Sequence, residues 1–184
     1  MSSSGRARTR RRNRIGVSLA AAAVTASVIA TLTVSAQPTP SIPLLNLPVP
    51  QFRLPGLFPG QAVVSSTQLR QAGPTVVNFW GSWCPPCVEE MPALQAVHRE
   101  LGNEVGFVGI DEEDTRGAAL GFLRRVGVTY PSGFDATGAV ATAFLIEGTP
   151  TTYFVSHGRM LDYHTGRLTQ KQLLTYLQQI FGVS

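Results

Sequence analysis

In the C-terminal two thirds of the chain, runs of hydrophobic residues typical of strands alternate with hydrophobic residues at helical spacing. Each change marks the start of a predicted element. The run Thr75–Trp80 is β-branched and aromatic, which predicts a buried strand. Apolar residues then recur at helical spacing from Val88 to Leu101, which predicts an amphipathic helix. Residues 105–111 predict a second strand. Residues 115–126 predict a second helix, closed by Gly127.

The pattern continues with a third helix that begins at Asp135, two strands over 151–156 and 159–164, and a last helix from 169 to about 181. A short helix over 66–70 precedes the first strand. The order βαβα(α)ββα implies a parallel strand pair with a crossover helix and a closing antiparallel hairpin. The predicted fold class is therefore α/β, with a mixed central sheet flanked by helices.

A longer apolar run lies near the start of the chain. Residues 15–36 carry no charge, and as a helix they would extend roughly 33 Å, enough to cross a bilayer. Arginines in the preceding segment, 1–14, predict a basic cytoplasmic region, so that the rest of the chain lies outside the cytoplasm. The length of the run favours a retained anchor in the cytoplasmic membrane. Because Val34-Ser35-Ala36 resembles a signal-peptidase site, secretion after cleavage stays open as the alternative.

A proline-rich segment connects this run to the predicted domain. Residues 37–60 contain seven prolines, which preclude a regular helix or a central strand and predict an extended linker. The segment also holds more Leu, Ile, Val and Phe than a solvated tether needs, which leaves open whether its end packs on the domain. The compact domain is predicted to span residues 61–184.

The formal net charge of +4 has a local origin. Six of the 15 basic residues lie within residues 1–14, and the remainder of the chain carries nine basic and 11 acidic side chains. The predicted domain is thus close to neutral, so nucleic acid is not expected as a partner.

The candidate chemistry lies in Trp83-Cys84-Pro85-Pro86-Cys87, where a predicted strand turns into a helix. A helix N-terminus offers free amide donors and a positive dipole end, both of which stabilise a cysteine thiolate. A purely structural disulfide would close only a two-residue gap and add little stability. A zinc site needs about four ligands, whereas the chain has two cysteines and three scattered histidines. Reversible dithiol-disulfide chemistry is the favoured interpretation, with neither a metal nor an organic cofactor.

Three motifs resemble the membrane-tethered thioredoxin-like proteins called TlpA, ResA and CcmG/DsbE. They are Asn78-Phe-Trp-Gly-Ser-Trp-Cys-Pro-Pro-Cys87, Glu90-Met91-Pro92 and Gly148-Thr-Pro-Thr-Thr-Tyr-Phe154. The resemblance implies a thioredoxin-like fold with Cys84 as the exposed attacking cysteine, Cys87 as the buried resolving cysteine and Pro150 as a cis-proline opposite them.

The surroundings of the two sulfurs are the expected substrate-binding surface. The missing amide of a proline after Thr149 leaves neighbouring backbone free to pair with an extended substrate. Of the two tryptophans, Trp80 and Trp83, one is expected in the core and the other as a partial lid over the disulfide. The candidate substrate-binding residues are Trp83, Pro85, Pro86 and Thr149.

Asn78 departs from cytoplasmic thioredoxin, where a buried aspartate at the matching place assists proton transfer. Asparagine cannot do so, which calls for another acid or for water. By resemblance to ResA, Asp114 is the nearest candidate and Glu113 the second. The cluster 111–114 could equally be a solvated loop or a cap for the helix that starts at Thr115.

The resemblance implies a monomeric, exported thiol-disulfide oxidoreductase with protein substrates. The usual task in these proteins is to keep the haem-attachment cysteines of apocytochrome c reduced, with electrons from a membrane thiol transporter. An oxidase that installs disulfides in secreted proteins is the alternative. A non-catalytic module that holds unfolded chains is an alternative of a different class.

Overall fold

The computed structural model of the protein describes residues 46–183. The basic region 1–14, the predicted anchor or signal segment 15–36 and the first part of the linker lie outside these residues. Between Asn46 and Val183, no helix is both long enough and apolar enough to cross a membrane.

The described chain alternates strands and helices in the predicted order, with additional short strands at its start. The strands are β1 (Leu47–Pro48), β2 (Arg53–Leu54), β3 (Val64–Ser65), β4 (Thr75–Trp80), β5 (Gly106–Glu112), β6 (Ser132–Asp135), β7 (Thr151–Ser156) and β8 (Arg159–Thr165). The helices are α1 (Ser66–Gln71), α2 (Pro85–Leu101), α3 (Arg116–Val126), α4 (Ala139–Ala143) and α5 (Gln170–Phe181).

The main sheet has six strands in the order β1-β8-β7-β4-β5-β6. Strands β4, β5 and β6 run parallel, whereas β7 is antiparallel to both β4 and β8. Strands β2 and β3 form a separate antiparallel pair. The mixed α/β sheet predicted from the pattern is confirmed.

The helix boundaries follow from local caps. Helix α1 begins at Ser66 because Ser65 caps it in a capping box with Gln68. Helix α3 is capped by the Thr115 side chain and ends at Gly127, whose φ of 71° suits glycine.

Strand β6 was missed by the sequence pattern, which had a helix beginning at Asp135. Asp135 instead ends the strand, and its carboxylate accepts the N–H groups of Val140 and Ala141 at 2.8 and 3.0 Å. The strand is only four residues long and contains Gly133, where an added Cβ would lie 3.0 Å from the Leu54 side chain. A glycine that admits such a close neighbour weakens the strand signal.

The end of the proline-rich segment packs on the domain, which answers the question left open by the sequence. Strand β1 pairs with β8 at the edge of the sheet. At this edge, the missing N–H of Pro48 does not interrupt the hydrogen bonds between central strands. Val49, Leu54 and Leu57 are buried. The packed chain therefore begins before Gln61, the predicted start of the domain.

The sheet separates two apolar cores. Trp80, Phe122 and Leu177 belong to the core under α2, α3 and α5, whereas Phe79 and Tyr153 belong to the core on the opposite face. Because side chains alternate along a strand, Asn78 points to the same face of β4 as Trp80. A polar residue is thus placed beneath α2, the helix that begins with the Cys84–Cys87 motif.

Candidate active site

Cys84 and Cys87 form a disulfide at the start of α2, with their Cα atoms 5.3 Å apart. Cys84 is the N-cap of the helix, and the Cys87 N–H donates to the Cys84 Sγ at 3.2 Å. Pro85 and Pro86 occupy the first two helical positions and have no N–H to donate. Within the motif, Cys87 therefore supplies the one amide directed at the Cys84 sulfur.

Both sulfurs are covered in the oxidised protein. Cys84 is only 2% exposed and Cys87 is 0% exposed. The expected exposure of Cys84 is therefore wrong for this state. Its sulfur is bonded to Cys87 and lies 3.5 Å from the carbonyl oxygen of Thr149, so little of its surface faces solvent.

The Thr149-Pro150 peptide bond is cis, as the resemblance implied. It follows α4 and leads directly into β7, which brings the Thr149 carbonyl against the Cys84 sulfur. The loop before β7 thus forms one wall of the site.

The other wall is apolar and lies around the start of α2. Trp83 is 53% exposed, and Pro85, Pro86 and Val88 are exposed beside it. A Cβ at Gly81 would lie 2.5 Å from the indole Nε1 of Trp83, so this packing of the indole requires glycine at position 81. Trp80, in contrast, is fully buried, which confirms one core tryptophan and one at the surface.

Asn78 contacts a buried acid that the sequence reasoning did not select. Its Nδ2 lies 3.4 Å from Glu90 Oε2 and donates to Thr152 Oγ1 at 3.0 Å. Glu90 is fully buried and also accepts the Leu168 N–H at 3.1 Å. Burial raises the pKa of Glu90 to about 7, although these hydrogen bonds oppose the rise.

Glu90 lies three residues after Cys87 in α2, and residues at this spacing are neighbours on a helix. The acid is therefore positioned beside the inner cysteine. The Glu90-Met91-Pro92 motif was the one feature of the sequence that could have pointed to Glu90 as a site residue. Because Glu90 lies off the apolar stripe of α2, the pattern suggested an exposed side chain.

The two acids proposed from the sequence occupy different surroundings. Asp114 is half-buried, and its carboxylate accepts the Ser82 N–H at 2.8 Å and the Thr115 N–H at 2.6 Å. It therefore contacts the loop that leads to Cys84 and also supports the start of α3. Glu113 is exposed and has a left-handed backbone, with a φ of 49°.

The other two acids of this cluster are buried at the end of β5. Asp111 is 0% exposed, and neither of its carboxyl oxygens has a hydrogen-bond partner in the part of the chain that the structure describes. Burial, and then the charge of Asp114, raises the pKa of Asp111 to about 9. Glu112 is 7% exposed and accepts the hydroxyl of Thr149, while its backbone carbonyl accepts the Trp83 indole N–H at 3.3 Å. Burial raises the pKa of Glu112, and the bond from Thr149 opposes that rise.

The sheet is mixed, the disulfide lies at the start of the helix that follows the central strand β4, and a cis-proline precedes β7, the strand that pairs with β4. Together these features define a thioredoxin-like protein. Residues 45–164 match the AhpC/TSA family, and the chain belongs to that family.

Relatives agree with this fold and with the resemblance seen in the motifs. The DsbE homolog of Paracoccus denitrificans, a thiol:disulfide interchange protein, is 38% identical over 116 residues, 62% of this chain and 63% of that protein. The thiol-disulfide oxidoreductase ResA of Halalkalibacterium halodurans is 29% identical over 56% of this chain and 60% of its own length. The matches therefore span less than two thirds of these relatives. A crystal structure of a DsbF homologue from Corynebacterium diphtheriae superimposes with a TM-score of 0.65 at 29% identity, over 73% of this chain and 87% of that one.

Proposed function

We propose that the protein is an exported thiol-disulfide oxidoreductase that exchanges disulfides with protein substrates through Cys84 and Cys87. The observation that carries this proposal is the disulfide at the N-cap of α2, placed against the Thr149 carbonyl and beside an exposed apolar surface. The names of the relatives, a thiol:disulfide interchange protein and a thiol-disulfide oxidoreductase, support it.

In the reducing direction, the Cys84 thiolate attacks one sulfur of a substrate disulfide. A mixed disulfide forms and the other substrate sulfur leaves as a thiolate. Cys87 then loses its proton and attacks the Cys84 sulfur, which releases the second substrate thiolate and leaves the Cys84–Cys87 disulfide. Two electrons pass from the protein to the substrate. The helix N-terminus and the Cys87 N–H stabilise the Cys84 thiolate that starts the sequence.

The second step needs a base for the Cys87 proton, and Glu90 fits this role. It is buried one helical turn from Cys87, and a carboxyl with a pKa of about 7 can both accept and release a proton near neutral pH. Asn78 donates a hydrogen bond to the Glu90 carboxyl. In this proposal Asn78 helps to hold Glu90 in place and does not itself transfer the proton. The proton-handling role of Asp114, with Glu113 as second candidate, stays a prediction.

The proposed substrate surface consists of the apolar wall and the backbone at Thr149. An extended peptide could pair with the Thr149 backbone beside Cys84, while Trp83 and the two prolines cover its side chains. This arrangement favours catalysis over passive holding of unfolded chains, since the proposed substrate surface lies beside the disulfide.

We favour reduction as the physiological direction, in a role like cytochrome c maturation. ResA and DsbE relatives support it, and an anchor at residues 15–36 would suit electron delivery from a membrane thiol transporter. Disulfide formation in secreted proteins is the second candidate. In that direction the Cys84–Cys87 disulfide would be passed to a pair of substrate thiols.

The deciding experiment is equilibration of the full chain with glutathione redox buffers. A reductant should give a potential well below about −200 mV, and an oxidase a value near about −120 mV. A Cys84→Ser, Cys87→Ser variant, which should lose all exchange activity in an assay with a disulfide-containing protein, is the control. Activity that survives in this variant would contradict the proposal and support a binding module.

A further inference from the structure

Glu112 connects the two walls of the proposed groove. Its backbone carbonyl accepts the indole N–H of Trp83 on the apolar wall, at 3.3 Å. Its carboxylate accepts the hydroxyl of Thr149 on the opposite wall. These two hydrogen bonds come from residues on either side of Cys84, so a single residue at the end of β5 touches both sides of the reactive sulfur.

The burial of Glu112 makes the second contact significant. The residue is 7% exposed, and placing a carboxylate in such a site carries a desolvation cost that hydrogen bonds must offset. The Thr149 hydroxyl is the side-chain group that donates to it among the described residues. A hydrogen bond in a buried site meets little competition from water, so this contact restrains Thr149.

Thr149 matters because of its backbone. Its carbonyl oxygen lies 3.5 Å from the Cys84 sulfur, at the edge where an extended substrate would pair. Rotation of Thr149 would move that carbonyl relative to the sulfur. A restraint on its side chain is therefore a restraint on the position of the substrate-pairing edge.

We propose that Glu112 is a positioning residue that fixes Thr149 for the binding of extended polypeptide substrates. It touches neither sulfur and takes no part in electron transfer. Its effect is selective, because a small disulfide needs only the Cys84 sulfur whereas a polypeptide also needs the Thr149 edge. This inference rests on the proposed thiol-disulfide exchange and adds a source of substrate preference.

The test compares two substrates in single-turnover reactions of the full chain, reduced beforehand. One is an extended peptide with an internal disulfide, and the other is hydroxyethyl disulfide, which has no backbone to pair. Each reaction is followed over a range of substrate concentrations, so that the apparent dissociation constant and the limiting rate are separated. The variants are Glu112→Ala, Glu112→Gln, Thr149→Val and Thr149→Ser. Glu147→Gln, which removes an exposed acid near Thr149, controls for the change in charge.

Thr149→Val should raise the apparent dissociation constant for the peptide on the order of fivefold, because the hydrogen bond to Glu112 is lost. The loss with the peptide should exceed any loss with hydroxyethyl disulfide, and the limiting rate with the peptide should change less than its apparent dissociation constant. Glu112→Ala should raise the apparent dissociation constant for the peptide by a similar factor. The variant that combines Thr149→Val with Glu112→Ala should bind the peptide no more weakly than either single variant, since both changes remove the same hydrogen bond. Thr149→Ser and Glu112→Gln, which keep a donor and an acceptor, should restore most of the affinity.

Equal losses with both substrates, or additive losses in the double variant, would overturn the positioning role. Unchanged peptide affinity in Thr149→Val would overturn it as well, even if Glu112→Ala failed to fold. If the unaltered chain reduced neither substrate, the proposed exchange activity itself would be wrong, and this inference would fall with it.

Discussion

Glu90 and Asn78 face each other inside the protein, with Glu90 Oε2 3.4 Å from Asn78 Nδ2. Asn78 lies in β4, and Glu90 lies in α2, three residues after the inner cysteine. An amide that cannot exchange protons is thereby placed in contact with a carboxyl whose pKa, about 7, lets it do so near neutral pH.

Glu90→Gln should slow resolution of the mixed disulfide on the order of tenfold above pH 7, because the base for the Cys87 proton is removed. Below about pH 6 the difference should shrink, since burial keeps Glu90 largely protonated there. Stopped-flow measurement of substrate release between pH 5 and 9 gives the profile. Parallel profiles for the two proteins would show that Glu90 has no part in the step.

Asp111→Asn should stabilise the protein at alkaline pH. Burial raises the pKa of Asp111 from 3.8 to about 9, so the folded protein holds this proton more tightly than the unfolded chain. Stability from this group is complete below about pH 4 and declines as the pH rises towards about 9. Asparagine does not titrate, so the variant should gain roughly 1–3 kcal/mol at pH 8 and show a flatter pH dependence.

Thermal unfolding at several pH values measures this effect, with Glu104→Gln as an exposed control. Part of the slope should remain, because burial also raises the pKa of Glu90 and of Glu112. A melting temperature of Asp111→Asn that tracks the unaltered protein from pH 4 to 9 would contradict the assignment of a protonated Asp111.

The fold could be predicted from sequence because its signals are local. The change of period after Trp80 marks the strand–helix junction, and the two cysteines on that junction mark the site. Strand β6 could not be found in this way, because its packing involves residues far away in the sequence, such as Leu54 against Gly133. Its four residues carry too little pattern of their own.

The buried acids of the site were not predictable for a related reason. Glu90 is held by hydrogen bonds from Asn78 and from the Leu168 N–H, partners 12 and 78 residues away. The Thr149 hydroxyl reaches Glu112 across 37 residues. From the sequence alone, each of these carboxyls resembles a solvated side chain on an amphipathic element.

Asp114→Asn should lower the pKa of the Cys84 thiol in the reduced protein. The Asp114 carboxylate accepts the Ser82 N–H at 2.8 Å, two residues before Cys84, and its negative charge opposes a thiolate nearby. Asparagine keeps an acceptor for that N–H but removes the charge. The pH dependence of alkylation rates measures the pKa, and Glu113→Gln, at an exposed acid, is the comparison. Identical titrations for Asp114→Asn and the unaltered protein would remove Asp114 from proton handling, and Glu113 would be tested next.

Cys84 should be the first thiol labelled by iodoacetamide in the reduced protein at neutral pH. It is the N-cap of α2 and receives the Cys87 N–H, whereas Cys87 is fully buried one turn into the helix. Peptide mapping after brief alkylation identifies the site. Cys87→Ser should accumulate mixed disulfides with substrate, because the resolving thiol is missing. Faster labelling of Cys87 would invert the two roles.

Pro86→Ala should make the protein a weaker reductant. An N-cap side chain accepts N–H groups from the second and third helical residues, which here are Pro86 and Cys87. Pro86 has no N–H, so Cys87 alone donates to the Cys84 sulfur, at 3.2 Å. Alanine at 86 adds the missing donor, which stabilises the thiolate and therefore the reduced form.

A lower pKa of Cys84 and a potential less negative by about 10–30 mV are expected, since one pKa unit corresponds to about 30 mV for this two-electron couple. Pro85→Ala is the matched control, because the first helical N–H does not reach the cap side chain. Equilibration of the unaltered protein, Pro86→Ala and Pro85→Ala with glutathione measures the three reduction potentials. Equal shifts in both variants would point to loss of proline stiffness, and no shift in Pro86→Ala would mean that the dipole and neighbouring acids set the potential instead.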